Sequence, residues 1–150
     1  MKKATILGLL VALAIVGHGL AERPEAKSST EGTKVTGLLF YADWCGSCKV
    51  LDPKLDAVTP EFSHQPILFT RVDLTNDETT AHATRYANYL GLGNIYAEYE
   101  GRTGFMLLVD AKSKDILGRL TRNESKDDIR TMLTEVLAKA SEVADTQAAY

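Results

Sequence analysis

Two cysteines, Cys45 and Cys48, stand in the chain with only Gly46 and Ser47 between them. A pair so spaced can be a structural staple, part of a metal site or a redox couple. A staple stabilises mainly by closing a loop, and its contribution grows with loop length, so a bridge across three residues constrains almost nothing. Structural zinc asks for four ligands, and the remaining candidates, His64 and His82, have no paired spacing, so no metal site is expected. A soft ion such as copper on the dithiol alone stays open, because thiolates suit soft metals. The third chemistry is thiol-disulfide exchange. The stretch Trp44-Cys45-Gly46-Ser47-Cys48-Lys49 lies where an apolar run gives way to helical periodicity. A helix N-terminus carries partial positive charge and unpaired amides, which favour a thiolate at Cys45. Cys48, one turn on, would lie on the same face and within reach of a disulfide. Cys45 then attacks a substrate disulfide, and Cys48 resolves the mixed intermediate. No cofactor is required.

The elements that must hold this pair can be read on either side of it. Val35 to Tyr41 is apolar at consecutive positions, as expected of a strand covered on both faces. After the cysteines, Val50 or Leu51, Leu55, Val58 and Phe62 recur at helical spacing, with Pro53 placed to kink that helix. Pro66 to Asp73 reads as a second strand. Asn76-Asp77-Glu78 supplies a cap and first-turn acids for a helix running to about Leu90, with Ala83, Tyr86 or Ala87, and Leu90 inward. Gly91-Leu92-Gly93 ends it, and a loop is expected from Gly93 to Arg102. Phe105 to Val109 and Ile116 to Leu120 read as strands joined by a polar turn, Ala111 to Lys114. The last helix starts near Ser125, with Asp127-Asp128 complementing its dipole, and carries Ile129, Met132, Leu133, Val136, Leu137 and Ala140 on one stripe. Strands joined through helices pair in parallel and the last two form a hairpin. The fold class is therefore α/β, a mixed sheet with helices on both faces.

With 150 residues and an ordinary apolar content, the chain has room for one domain. Its net charge of −3 and its lack of a basic cluster beyond the extreme N-terminus leave no footprint for nucleic acid. Lys2 and Lys3, the apolar run Ile6 to Val16 and Gly19-Leu20-Ala21 form an export pattern over residues 1–21, with cleavage after Ala21. An uncleaved anchor is the rival reading, but a span wants about 20 apolar residues, and His18 and Gly19 arrive first. Residues 22–34 read as a polar tether, 35–143 as the domain and 144–150 as a tail. The expected location is periplasmic or secreted.

The segment Tyr41-Ala42-Asp43-Trp44-Cys45-Gly46-Ser47-Cys48-Lys49 resembles the active-site segment of the thioredoxin superfamily, with serine where typical thioredoxins place proline. Pro53 falls where the family has its kinking proline, and the element order is similar over roughly residues 34 to 140. The resemblance implies a thioredoxin fold, Cys45 as nucleophile, Cys48 as resolving thiol, a redox-active Cys45–Cys48 disulfide and Trp44 on the substrate-facing surface. Three departures stand out. Leu39 occupies the position of the family's buried acid, although Arg71 holds the basic position beside it. Thr103-Gly104 falls where a cis-proline would face the cysteines, and is the expected substrate-binding edge in its place, with a trans bond at Gly104. The stretch from Asp73 to Gly104 is longer than in a minimal thioredoxin, and Tyr96 and Tyr99 of its extra loop are candidates to cover or extend the substrate groove.

The function expected is a thiol-disulfide oxidoreductase acting on protein thiol and disulfide clients, with a membrane redox partner possible by the same resemblance. The alternative is a redox-regulated binding module, or a copper-handling protein, using the same fold. His64 and His82 are read as exposed helix or loop residues rather than catalysts, and Tyr86 and Tyr89 as core or helix flank. Thr79-Thr80 and Thr121-Arg122-Asn123 carry no assigned chemistry.

Overall fold

The computed structural model describes residues 32–148. The export pattern over 1–21 and most of the tether over 22–34 lie outside the described residues. The elements are β1 (Val35–Tyr41), α1 (Cys48–Val58), a 3-10 turn (Thr59–Phe62), β2 (Ile67–Asp73), α2 (Asp77–Tyr89), α3 (Gly93–Tyr99), β3 (Phe105–Asp110), β4 (Ile116–Thr121) and α4 (Lys126–Ala148).

The apolar run read as a strand buried on both faces is β1, and it sits inside the sheet, whose order is β2-β1-β3-β4. It pairs in parallel with β2 and antiparallel with β3, and β3 pairs antiparallel with β4 as the expected hairpin. The frame begins slightly earlier than expected. Lys34, assigned to the tether, donates its amide to Pro66 O at 2.7 Å and accepts from the Ala111 amide at 2.9 Å.

Side chains of β1 alternate between two cores, as the period of two in a strand requires. Val35 and Leu39 face α1 and α4, packing with Leu51, Leu55, Ile129 and Leu133. Leu38 and Phe40 face α2 and α3, packing with Ala83, Ala87, Tyr96 and Leu107. The mixed sheet with helices on both faces is thus the architecture observed.

The helix ends follow local chemistry. Asn76 caps α2 by accepting from the Thr79 amide at 3.0 Å, while Thr79 Oγ1 accepts from the Asn76 amide at 3.1 Å. At the start of α4, Asp128 accepts from the Ser125 amide and hydroxyl at 2.9 and 2.7 Å, and Ser125 Oγ accepts from the Asp128 amide at 3.1 Å. These bonds from Ser125 hold the Asp128 carboxyl below the usual carboxylate range. Asp127 pairs instead with Arg130, which also grips Glu61 of the 3-10 turn. Helix α1 continues through Pro53 and ends at Val58, so Phe62 belongs to the 3-10 turn.

Three expectations need correction. The segment from Gly93 is not a loop: Leu92, Ile95, Tyr96 and Tyr99 follow helical spacing, and residues 93–99 form α3 with that stripe turned inward. Its flanking glycines, Gly91 and Gly101, have φ of +68° and +77° and confine the helix to two turns. Within α2 the inward residues are Ala83 and Ala87, while Tyr86 and Tyr89 are exposed and stacked on each other. The tail expected from 144 is still helix as far as Ala148.

Leu51 fixes α1 to the sheet and is fully buried. Leu51→Ala is expected to cost about 2 to 5 kcal/mol, since a cavity adds to the lost transfer energy. Urea denaturation should show the midpoint fall with an unchanged slope; an unmoved midpoint would mean that α1 is held by other contacts.

Candidate functional site

The end of β1, the start of α1 and the turn before β3 meet at the cysteines. Cys45 and Cys48 are joined as a disulfide, with Cα atoms 5.3 Å apart. Cys45 lies two residues before the N-cap Ser47 rather than inside the first turn of α1. Its sulfur nevertheless reaches the helix: Sγ accepts from the Cys48 amide at 3.1 Å. That amide is one of the orphan donors of the helix N-terminus, and a donor aimed at sulfur favours the thiolate once the disulfide opens.

The two sulfurs differ in surroundings. Cys45 keeps 6% of its surface and Cys48 none. Cys48 Sγ lies 3.8 Å from the Phe40 carbonyl. An acceptor beside a buried sulfur favours the protonated thiol in the reduced form. Cys45 is thus the more accessible sulfur of the pair, and Cys48 is enclosed.

The same Phe40 carbonyl accepts from the Gly104 amide at 2.8 Å. This bond places the Thr103-Gly104 turn over the cysteines. Gly104 is buried, its φ is +92°, and no described peptide bond is cis. A Cβ built at Gly104 would stand 3.3 Å from Cys45 Sγ and 2.6 Å from Ser47 Cβ. The expected placement of Gly104 against the cysteines is what the structure shows. One feature differs from expectation. The Gly104 amide is committed to Phe40, so it is not offered to a substrate strand, and proline there would lose that bond as well as the required φ.

Trp44 is 61% exposed on the other rim. Its indole donates to Thr75 O at 3.2 Å, and the neighbouring Asp43 amide donates to Thr75 Oγ1 at 3.1 Å. Thr75 is itself fixed by donating its amide to Asp73 Oδ1 at 2.9 Å. Thr75 was not legible as a site residue, because a lone threonine after a strand carries no pattern.

Leu39 lies opposite Arg71 in the β1–β2 register. The guanidinium finds its carboxylate elsewhere: Arg71 bonds both oxygens of Asp52 on α1, at 2.7 and 2.9 Å, and lies 4.3 Å from the centre of the Tyr41 ring. Leu39, Asp52 and Arg71 line a cavity of about 170 Å³ with Phe69 and Met106. The pair is partly exposed, so its own contribution is at most about 1 kcal/mol.

Tyr96 is buried, its hydroxyl accepts from Thr84 Oγ1 at 3.1 Å and its ring stacks on Phe40. Tyr99 packs on Phe40 and Phe105. These two tyrosines are therefore core rather than a groove cover. His64 and His82 lie on separate exposed segments, and among the described residues no group of three or more His, Cys, Asp or Glu could hold a metal ion.

The thioredoxin family model matches residues 29–89. A thioredoxin of Echinococcus granulosus is 37% identical over 60 residues, which is 40% of this chain and 52% of that protein. Thioredoxin-T of Drosophila melanogaster is 40% identical over 50 residues, 33% of this chain and 32% of that one. A protein disulfide-isomerase of Datisca glomerata is 30% identical over 92 residues, 59% of this chain and 17% of that protein. The chain thus spans about half or less of the length of these curated relatives. Among solved structures, a thiol:disulfide interchange protein of the thioredoxin family from Chlorobium tepidum TLS superposes over 73% of this chain and 83% of that one. Its TM-score is 0.50 at 19% identity, a likeness of fold.

Two outcomes test the site. In the reduced protein, iodoacetamide at mildly acidic pH should label Cys45 before Cys48, as mass spectrometry of early time points would show; equal labelling would remove the distinction between the sulfurs. Gly104→Ala should destabilise by more than about 1 kcal/mol, because L-residues resist positive φ and Ser47 leaves no room. An unchanged denaturation midpoint would show that the turn can relax.

Proposed function

We propose that the chain is a thioredoxin-superfamily protein, an exported thiol-disulfide oxidoreductase acting on protein disulfides through Cys45 and Cys48, a reading supported by the thioredoxin family match over residues 29–89. The observation that carries this reading is the bond from the first helical amide to Cys45 Sγ beside a fully buried Cys48. A structural bridge would need neither the exposed tryptophan at its side nor a turn without a side chain held against Cys45 Sγ at Gly104.

In the reductive direction, the Cys45 thiolate attacks one sulfur of the client disulfide. A Cys45–client bond forms, and the other client sulfur leaves as a thiolate that takes up a proton. Cys48 then gives up its proton and attacks Cys45 Sγ, which closes the Cys45–Cys48 disulfide and releases the second client thiol. Two electrons pass to the client, and an outside dithiol must reduce the pair for the next cycle. In a cell, a membrane redox partner is proposed for that role; in an assay dithiothreitol serves. Whether the couple runs forward or backward depends on its potential, for which about 30 mV corresponds to 1.4 kcal/mol.

Export is supported by Lys2, Lys3, the apolar run and Gly19-Leu20-Ala21. Among the described residues no helix is long and apolar enough to cross a membrane. Fractionation of cells expressing the full chain, with N-terminal sequencing of the product, should find a periplasmic or secreted protein beginning after Ala21.

The exchange reading is tested by insulin reduction with dithiothreitol. The native protein should accelerate precipitation, and Cys45→Ser should abolish the acceleration. Cys48→Ser should accumulate mixed disulfides with client proteins, since the intermediate has lost its escape route, whereas Cys45→Ser should accumulate none. Absence of acceleration by the native protein would overturn the enzymatic reading.

A further inference from the structure

Behind the Thr103-Gly104 turn, three rings pack together: Phe40 on Phe105 with centroids 4.9 Å apart, Tyr99 on Phe105 at 5.7 Å and Tyr99 on Phe40 at 6.0 Å. Two guanidinium groups cover the outer members. Arg102 lies 4.4 Å from the Tyr99 centroid and Arg119, on β4, lies 4.2 Å from that of Phe105. Arg102 precedes Gly104 by two residues, and Arg119 rests on Phe105, the residue that directly follows Gly104, whose Cα faces Cys45 Sγ.

Among the described residues, neither arginine is ion-paired with a carboxylate, although three other pairs are formed. The Arg102 guanidinium donates to the backbone carbonyl of Glu98, and its backbone amide to Tyr99 O at 3.1 Å. Both are exposed. The rings thus hold two exposed cations close in the chain to the Gly104 turn, with exposed Glu98 and Glu100 on the segment before Arg102.

We infer that Arg102 and Arg119 form a specificity site that favours protein disulfides with acidic residues beside the attacked cysteine. The inference rests on the exchange reading and adds the substrate class to it. A guanidinium held against a ring is a positioned positive charge that can attract a carboxylate, even though one Arg102 donor is used by the Glu98 carbonyl. Because the charges are exposed, their effect is on encounter rate and falls with salt. The plain alternative is that the arginines only shield the aromatic rings through their stems. That role would be indifferent to the charge of the client.

The test uses the reduced full-length protein and peptides that carry one cysteine in a mixed disulfide with 2-mercaptoethanol, flanked on both sides by Glu, Gln or Lys. Each rate is divided by the rate of the same peptide with dithiothreitol, which removes the intrinsic effect of the flanking charge. At about 20 mM salt the Glu peptide should react roughly fivefold faster than the Gln peptide and the Lys peptide slower than both. At about 300 mM salt the three should converge. The double variant Arg102→Gln with Arg119→Gln should lose the preference, and Arg102→Lys with Arg119→Lys should keep most of it. Equal normalised rates in the native protein at low salt, or a preference that survives in the Gln double variant, would overturn the inference. The neutral 2-hydroxyethyl disulfide separates the two readings: no exchange with it would overturn the exchange reading itself, whereas exchange without charge preference would overturn only the specificity site.

Discussion

One backbone carbonyl, that of Phe40, organises the functional end of this protein. It belongs to an inner strand of the sheet, so its position is fixed by pairing on both sides and by two cores at once. From there it receives the Gly104 amide and approaches the Cys48 sulfur. The Gly104 turn and the enclosed sulfur of Cys48 thus share one reference point. Side chains around the cysteines can change while this point holds, because the contacts that set it are main-chain contacts. Gly104 is the residue that cannot change, since it alone meets the demands of positive φ and of close approach to Ser47.

The relation between Leu39 and Arg71 shows how a charge can be kept after its expected partner has gone. A leucine at the register position facing Arg71 extends the apolar core beneath α1. Arg71 then turns to Asp52, and helix α1 supplies the carboxylate that the strand does not. The pair contributes little to stability by itself. Its effect is to hold the guanidinium over Tyr41, the residue that packs against the cysteine cluster.

Much of this was legible in the amino-acid sequence, for physical reasons that can be named. The strands and the last helix have strong periodicity and few competing signals, and Asn76 and Ser125 mark helix starts because their side chains have amides to satisfy. The cysteine pair was legible from spacing alone. Helix α3 was hidden by its flanking glycines, which read as loop although Leu92, Ile95, Tyr96 and Tyr99 already kept helical spacing. The burial of Tyr96 and Tyr99 had the same origin, since without that helix they had no reason to be core, whereas Tyr86 and Tyr89 take the helix flank that was one of their two readings. The Thr75 clamp and the Arg102 and Arg119 contacts depend on residues distant in sequence that only the folded sheet brings together. Pattern within a segment carries no information about them.

The separation between the parts of the site bears on how the chain matures. The bridge between the cysteines spans three residues and can close in an unfolded chain, because so short a loop requires almost no search. Gly104 reaches Cys45 only after the 58 intervening residues have been folded away and β3 has docked on β1, a contact of high sequence separation and therefore slow to form. With Cys45 and Cys48 as the only cysteines, no incorrect internal pairing exists to trap the chain. Oxidation and folding are consequently independent in order, and a polypeptide that meets an oxidant before it has folded still arrives at the same native bridge.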